Sequence, residues 1–300
     1  MKTMNRPIAV LLASLLGYCV IIGPFTLYMK QKPVEEKLGY LPTVDVMRYL
    51  SADHRELVGA SLVMKVIMYF GGITEKQQAK VIVAPPDYKR MSGILHGAVK
   101  LDPYNMDAYY FAQSFLTWDV KQYKLANDLL EYGMKYRTWD WMLPFFAGFN
   151  SAYFLKDYKK AADFYKRAGT LTGSELYRSL AGRYMQESGQ TDLAIAYLTA
   201  MENEEKNQAV KKNYQIRLSA FKEARRIELA REQFTKERRV MPASIEQLIH
   251  EGYLVSAPVD PYGGKFFLEP DGRVATTSKF AFAGDRKDNK QKAGESDERH

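Results

Sequence analysis

A pattern of small and large side chains recurs between Asp87 and Glu202, and it limits what this chain can fold into. Its clearest copy reads Leu180-Ala181-Gly182-Arg183-Tyr184, then Gly189-Gln190, then Ala194-Ile195-Ala196-Tyr197-Leu198. Small residues on a first helical limb, a glycine break and an alanine opening a second limb let two helices lie close together. The unit returns at a spacing of roughly 34 residues, and no single copy buries enough apolar surface to stand alone. The expectation is a mainly α chain, an α-solenoid of about four helical hairpins.

The copies follow in order. Helical periodicity begins near Val44, with Leu50, Leu57, Val58, Leu62, Val66 and Tyr69 at steps of three and four, and it is expected to stop at Gly71-Gly72. Asp87 caps the next limb, where Leu95, Ala98 and Leu101 share a face. Asn105 opens a second unit containing Ala108, Phe111, Ala112 and Phe115, then Ala126, Leu130 and Gly133. Gly148, Asp157-Tyr158-Lys159-Lys160-Ala161, Tyr165 and Ala168 mark a third, and Glu175 to Met201 a fourth. This succession resembles the tetratricopeptide repeat and assigns residues 44–202 to it. The first insertion is longer than the family's turn and two later turns are irregular, which bears on curvature rather than on repeat class.

A repeat solenoid holds another polypeptide in its concave groove. With Asn105 and Glu175 as first positions, Tyr109, Gln113, Ser179, Arg183 and Gln186 are expected to point into that groove and bind protein. The basic clamp of chaperone-binding members is not matched, because Tyr109 and Gln113 replace its Lys and Asn.

The first thirty residues bear on location. Lys2 and Arg6 precede an uncharged run from Pro7 to Met29, closed by Lys30 and Lys32. A helix needs about 20 such residues to cross a bilayer core. A cleaved signal peptide has a shorter apolar stretch and a small-residue site, whereas Thr26-Leu27-Tyr28 is a poor one. Leu16-Gly17-Tyr18-Cys19 only partly follows a lipoprotein box. Residues 1–30 are therefore read as an uncleaved transmembrane anchor. Lys30, Lys32 and Lys37 weaken the charge asymmetry, but the short leading tail favours a cytoplasmic N-terminus. The expected location is the inner membrane, single-pass, with the bulk periplasmic. Residues 31–43, broken by Pro33, Gly39 and Pro42, read as a linker.

Residues 203–240 read as one long capping helix, with Tyr214, Leu218, Phe221, Ala224, Ile227 and Phe234 along its apolar stripe. Between Lys206 and Arg239 it carries eleven Lys or Arg against four Glu, a large share of the chain's net charge of +8. This is either a solvated face or a basic stripe (206–239) for an acidic partner or lipid headgroups.

Residues 241–280 form a small α+β module. Ser244 caps a short helix, Asp260-Pro261-Tyr262-Gly263-Gly264 makes a turn, and strands at Lys265 to Leu268 and Arg273 to Thr277 flank Pro270-Asp271-Gly272 as a β-hairpin. The module resembles the C-terminal part of type II secretion pseudopilins. The whole arrangement is similar to membrane-anchored tetratricopeptide proteins of some Gram-negative bacteria. Residues 281–300, rich in Gly, Asp, Lys and Glu, are expected to be a disordered tail.

Chemistry is sparse. There is no Gly-x-Ser-x-Gly, Walker loop, Gly-x-Gly-x-x-Gly or His-Glu-x-x-His. Cys19 is the only cysteine, lies in the apolar run, and the four histidines are scattered. Asp260 and Asp271 read as turn formers, and Trp139-Asp140-Trp141 as packing. No catalytic residue, metal, cofactor or nucleic-acid partner is expected. The sequence points to a non-catalytic, membrane-tethered adaptor binding other proteins in assembly of a bacterial envelope complex, in secretion, pilus or export machinery. The alternative is a self-assembling structural subunit of such an apparatus; an enzyme comes last.

Overall fold

The computed structural model describes residues 5–31, 38–82 and 84–279. The tail at 281–300 and linker residues 32–37 lie outside these. The chain is mainly α, built of tetratricopeptide-like helical hairpins, with an apolar N-terminal helix and a small C-terminal α+β element. It divides into two compact units, Met1–Lys121 and Gln122–His300.

In the first unit, α1 spans Asn5–Gln31 and includes Pro24. Its segment Ala9–Gln31 is 23 residues long, apolar enough to cross a membrane, and buries nothing against the protein. The helices α2 (Val44–Ser51), α3 (Arg55–Gln78), α4 (Tyr88–Leu101) and α5 (Met106–Trp118) follow.

The break between α2 and α3 falls at Ala52, which takes a positive φ of 43°. The stop expected at Gly71-Gly72 is a correction, since α3 runs on to Gln78. Each glycine costs a helix about 1 kcal/mol relative to alanine. Ile73, fully buried just beyond them, holds the extra turns against the core. Val44–Gln78 is also long and apolar, but its face of Leu62, Val63, Val66, Tyr69 and Ile73 is core.

The α3 and α4 helices pack directly on each other. A Cβ on Gly59 would lie 3.2 Å from the Asp102 Cβ and 3.3 Å from the Ala98 carbonyl oxygen, so the helices meet closely there and a side chain would press on its neighbours. Asp87 caps α4 by accepting from the Arg90 amide, while its own amide donates to the Tyr69 hydroxyl at 3.0 Å. Asn105 caps α5 through the Ala108 amide, and Ala108, Ala112 and Phe115 are buried.

The second unit holds α6 (Tyr123–Tyr136), α7 (Met142–Phe149), a π-helical turn (Asn150–Leu155), α8 (Tyr158–Thr172), α9 (Glu175–Glu187), α10 (Thr191–Glu204), α11 (Gln208–Arg238) and α12 (Ile245–His250). Strands β1 (Phe266–Leu268) and β2 (Val274–Thr276) end it. From α6 to α11, each helix packs on the next.

The π turn has a visible partner. Asn127 of α6 donates to the Ala147 carbonyl at 3.2 Å and to Ser151 Oγ at 2.9 Å, and its own oxygen accepts from Asn150 at 3.1 Å. All three polar residues are buried, and Asn127 ties α6 to the irregular turn through one backbone carbonyl and two side chains.

The long helix expected from Asn203 starts instead at Gln208, a second correction. The α10 helix continues through Glu204, and Asn207 caps α11 by accepting from the Ala209 and Val210 amides. Tyr214, Leu218, Phe221, Ala224, Ile227 and Phe234 of α11 enter one core that also holds Leu198, Leu248, Phe266 and Val274. One buried cluster thus joins the last hairpin, α11 and the β-hairpin.

In the hairpin Phe266 faces Thr276, Phe267 faces Ala275 and Leu268 faces Val274. The Glu269 amide donates to Arg273, and the Thr277 amide to Lys265. Those bonds set the ladder so that the backbone groups of Val274 and Thr276 turn away from β1.

Candidate functional site

The tightest joint of the second unit is a ladder of tyrosines between α8 and α9. Tyr158 and Tyr165 stand seven residues apart on α8, as do Tyr177 and Tyr184 on α9. Seven residues advance a helix about 10.5 Å, which leaves space for one ring from the facing helix. The rings interleave as Tyr177, Tyr165, Tyr184, Tyr158, with centroids 6.5, 5.6 and 5.9 Å apart and planes within 16° of parallel. Burial pushes the phenols of Tyr165, Tyr177 and Tyr184 up, since phenolate is poorly solvated there.

Trp141 and Phe145 continue the aromatic contacts at the Tyr177 end. At the other end two guanidinium groups take over. Arg273 lies 5.9 Å from the Tyr158 ring centre and Arg183 lies 5.6 Å from that of Tyr184.

That end opens on a cavity of about 400 Å³. Its walls come from the end of α9 (Arg183, Gln186, Glu187), from α11 (Arg225, Glu228, Arg231, Glu232) and from the hairpin (Phe267, Arg273, Thr276), with Lys156 and Tyr158 beside them. Six cationic side chains line it against four carboxylates, so its wall is net positive.

The arginines are held, not loose. Glu187 pairs with Arg183 Nε at 2.9 Å. Arg225 contacts Asp192 at 2.8 Å, Glu232 at 3.1 Å and Glu228 at 3.4 Å. Arg231 donates to the Gly272 carbonyl at 2.5 Å and pins the hairpin turn to α11. Arg273 spans Asp271 at 2.6 Å and Glu269 at 2.7 Å. Glu228 is buried and accepts from Thr191 Oγ1 at 2.6 Å. Its carboxyl is raised by burial, which outweighs the opposing bonds from Thr191 and Arg225.

The residues expected to bind protein fall in different surroundings. Tyr109 is fully buried in the first unit, its hydroxyl donating to the Pro103 carbonyl, and Gln113 is buried there beside Thr117. Ser179 is buried on α9. Arg183 and Gln186 come together at the cavity, where Gln186 Nε2 donates to the Val274 carbonyl at 3.3 Å. Arg225 and Arg231 belong to the basic stripe 206–239 expected to meet an acidic partner or lipid headgroups, but its meeting with α9 and with Arg273 of the hairpin was not foreseen, because these elements come together only through long-range packing. The signal was the Tyr158/Tyr165 and Tyr177/Tyr184 spacing, which placed one end of the ladder beside Arg183.

Asp260 shapes the turn before β1. Its Oδ1 accepts from the Tyr262 amide at 2.9 Å, and its Oδ2 from Thr276 Oγ1 and from Ser278 Oγ at 2.6 Å. Among the described residues no group of three or more His, Cys, Asp or Glu is placed to hold a metal ion.

No known family model matches the chain, and no curated protein matches it. Among solved structures, YrrB, described as a tetratricopeptide repeat protein with an unusual peptide-binding site, is 19% identical, covers 71% of this chain and all of its own, and gives a TM-score of 0.35. A MamA structure is 16% identical over 53% of this chain and 91% of its own, with a TM-score of 0.32. A second, MamA AMB-1, gives 16% identity, 52% and 90% coverage, and 0.32. These likenesses are too slight to bear on function.

Proposed function

We propose that the chain is a non-catalytic, membrane-tethered scaffold that holds other proteins during assembly of a bacterial envelope complex, in secretion, pilus or export machinery. In this reading α1 crosses the inner membrane once, with Lys2 and Arg6 on the cytoplasmic side and the helical units in the periplasm. The observation that carries the reading is α1 itself. It exposes Leu11, Leu16, Val20 and Ile21 over an unburied apolar length, which water does not tolerate and a bilayer does. A chain of helical hairpins tethered this way is a platform, and Arg183 and Gln186 at the cavity are its proposed contacts.

The basic helix reads the same way. Several of its arginines are already paired with carboxylates, so any acidic partner or lipid headgroup meets the remaining exposed cations, such as Lys212 and Lys236. A self-assembling structural subunit is the second reading, favoured by the exposed apolar residues Val255 and Val259 within the α+β module.

Photo-crosslinking in intact membranes tests the function. A benzoylphenylalanine in place of Phe267, at the cavity rim, is compared with one in place of the exposed Lys124. The expected result is a component of an envelope assembly captured only from position 267. Copies of the chain alone would move the reading to the structural subunit, and equal yields from both positions would remove the cavity as the contact.

A further inference from the structure

We propose that the exposed stripe of α3 lies flat on the bilayer surface, with Leu57, Met64 and Met68 sunk into the boundary between headgroups and acyl chains. The proposal rests on the reading of α1 as a transmembrane anchor.

Composition is the first argument. From Leu57 to Thr74 the one charged residue is Lys65. One face of this stretch, Leu62, Val63, Val66, Tyr69 and Ile73, is core. At about 100° per residue, Leu57, Ala60, Ser61, Met64, Met68 and Gly71 share the opposite face, and all of them are exposed. Leu57 and Met68 are each 69% exposed and Met64 is 57% exposed. A helix apolar on both faces calls for two apolar neighbours, and the described residues supply one. Charges return only at the ends, with Arg55 and Glu56 before the stripe and Glu75 and Lys76 after it. Such a stripe suits the membrane interface.

Position is the second. The α1 helix ends at Gln31, and residues 32–37 alone separate it from Leu38, which is fully buried. Even fully extended, that stretch holds Leu38 within about 25 Å of Gln31. The chain then enters the fold beside α3, since a Cβ on Gly39 would lie 3.7 Å from Lys65 Nζ. Lys65 is half-buried at the margin of the stripe, next to Met64. Tyr40, 86% exposed, follows at once, an amphipathic ring of the kind that settles at headgroup level. The leash meets the protein where the apolar stripe is.

Size is the third, and it selects a lipid surface over a second copy of the chain. Leu57, Met64 and Met68 together offer roughly 200–350 Å² of apolar surface. A stable protein interface takes about 800 Å² from each partner. A bilayer needs far less from a tethered stripe, because the anchor keeps the two at high effective concentration. From Leu57 to Gly71 the stripe runs about 21 Å, and with its other face in the core it lies along the membrane rather than across it.

The test uses the full chain in phosphatidylcholine vesicles. Cys19→Ser removes the native thiol, and single cysteines enter as Met64→Cys, Met68→Cys or, for control, Asp107→Cys on the exposed side of α5. Each carries an NBD fluorophore, and lipids brominated high on the acyl chain quench it on contact. The expected result is quenching and a blue shift at 64 and 68, with emission at 107 as in water. Added salt leaves the quenching unchanged, because no charge on the stripe carries it. A probe at Leu57→Cys is quenched likewise, and loses most of that quenching when Met64→Glu and Met68→Glu are added. Circular dichroism of that variant matches the parent, since both positions are on the surface.

Unquenched probes at 64 and 68, or quenching no greater than at 107, overturn the proposal. So does a pyrene excimer at position 68 that fades as the protein is diluted in lipid, which would put a second copy on the stripe. An alkaline carbonate wash separates this inference from the anchor. A chain retained on the vesicles with unquenched probes sinks the stripe and leaves α1 as a transmembrane helix. A chain washed away sinks the two together.

Discussion

A Cβ placed on Gly182 would lie 2.9 Å from Cγ of Leu198, closer than side-chain carbons pack. Leu198 is fully buried, and its branched end fills the space over Gly182 where α9 meets α10. Alanine favours a helix by about 1 kcal/mol over glycine, but overpacking a closed core costs roughly 1–3 kcal/mol. Gly182→Ala is therefore expected to destabilise the second unit, seen as a lower urea midpoint. Gly182→Ala combined with Leu198→Ala should recover part of that loss relative to Leu198→Ala alone. A Gly182→Ala protein as stable as the parent would show that α9 and α10 are not locked at this contact.

The tyrosine ladder gives a pH dependence with a definite sign. Burial raises the phenols of Tyr165, Tyr177 and Tyr184, so the folded protein favours the neutral form more than the unfolded chain does. Stability from this source is complete below the unfolded tyrosine value, near pH 10, and is lost as pH rises through the folded values. Tyr184→Phe removes one such group while keeping the ring. Its stability is expected to decline less steeply than the parent's between about pH 9 and 11. Parallel denaturation curves at both ends of that range would refute the assignment.

Glu228 behaves in the same direction at lower pH. Its carboxyl is raised by burial, so its contribution to stability is present below the ordinary carboxylate value and is lost as pH rises through the folded value. Glu228→Gln keeps a partner for Thr191 and drops the charge. The variant should gain on the parent as pH is raised from about 4 to about 8. A gain that is the same at both ends, or a reversed trend, would mean that Arg225 governs the site instead.

Much of this fold was legible in the sequence because its signals are local. Asp87, Asn105, Asp157 and Ser244 cap the helices that follow them, each accepting a backbone amide. Gly182 and Ala194 mark a close helix crossing, and the hairpin strands fall where the turn residues put them. What was not legible depends on distant partners. Gly71-Gly72 reads as a stop until Ile73 is seen buried beyond it. The pause at Glu205–Asn207 looks like helix until Asn207 is seen to cap. The cavity joins α9, α11 and the hairpin, up to ninety or so residues apart in sequence, and no period in the sequence encodes that meeting.

The π turn supplies the last prediction. Across the widened helix at Asn150–Leu155, Asn127 of α6 bonds the Ala147 carbonyl, Ser151 Oγ and the Asn150 side chain, and Asn127, Asn150 and Ser151 are all buried. Asn127→Ala removes one hydrogen bond each from the Ala147 carbonyl, which keeps the Asn150 backbone amide, from Ser151 Oγ and from the Asn150 side chain. Each group left unsatisfied costs about 1–3 kcal/mol, though part of that is recovered if water enters. Asn127→Asp keeps the acceptor for Asn150 but removes the donors to Ala147 and Ser151, and it buries a carboxyl. Both variants should be destabilised, and amide exchange at 150–155 should quicken more than in α9. If exchange rose uniformly across the unit instead, the loss would be global and the π turn would not depend on Asn127. A selective rise places the weakness in the joint between α7 and α8, from which Lys156 and Tyr158 reach the cavity.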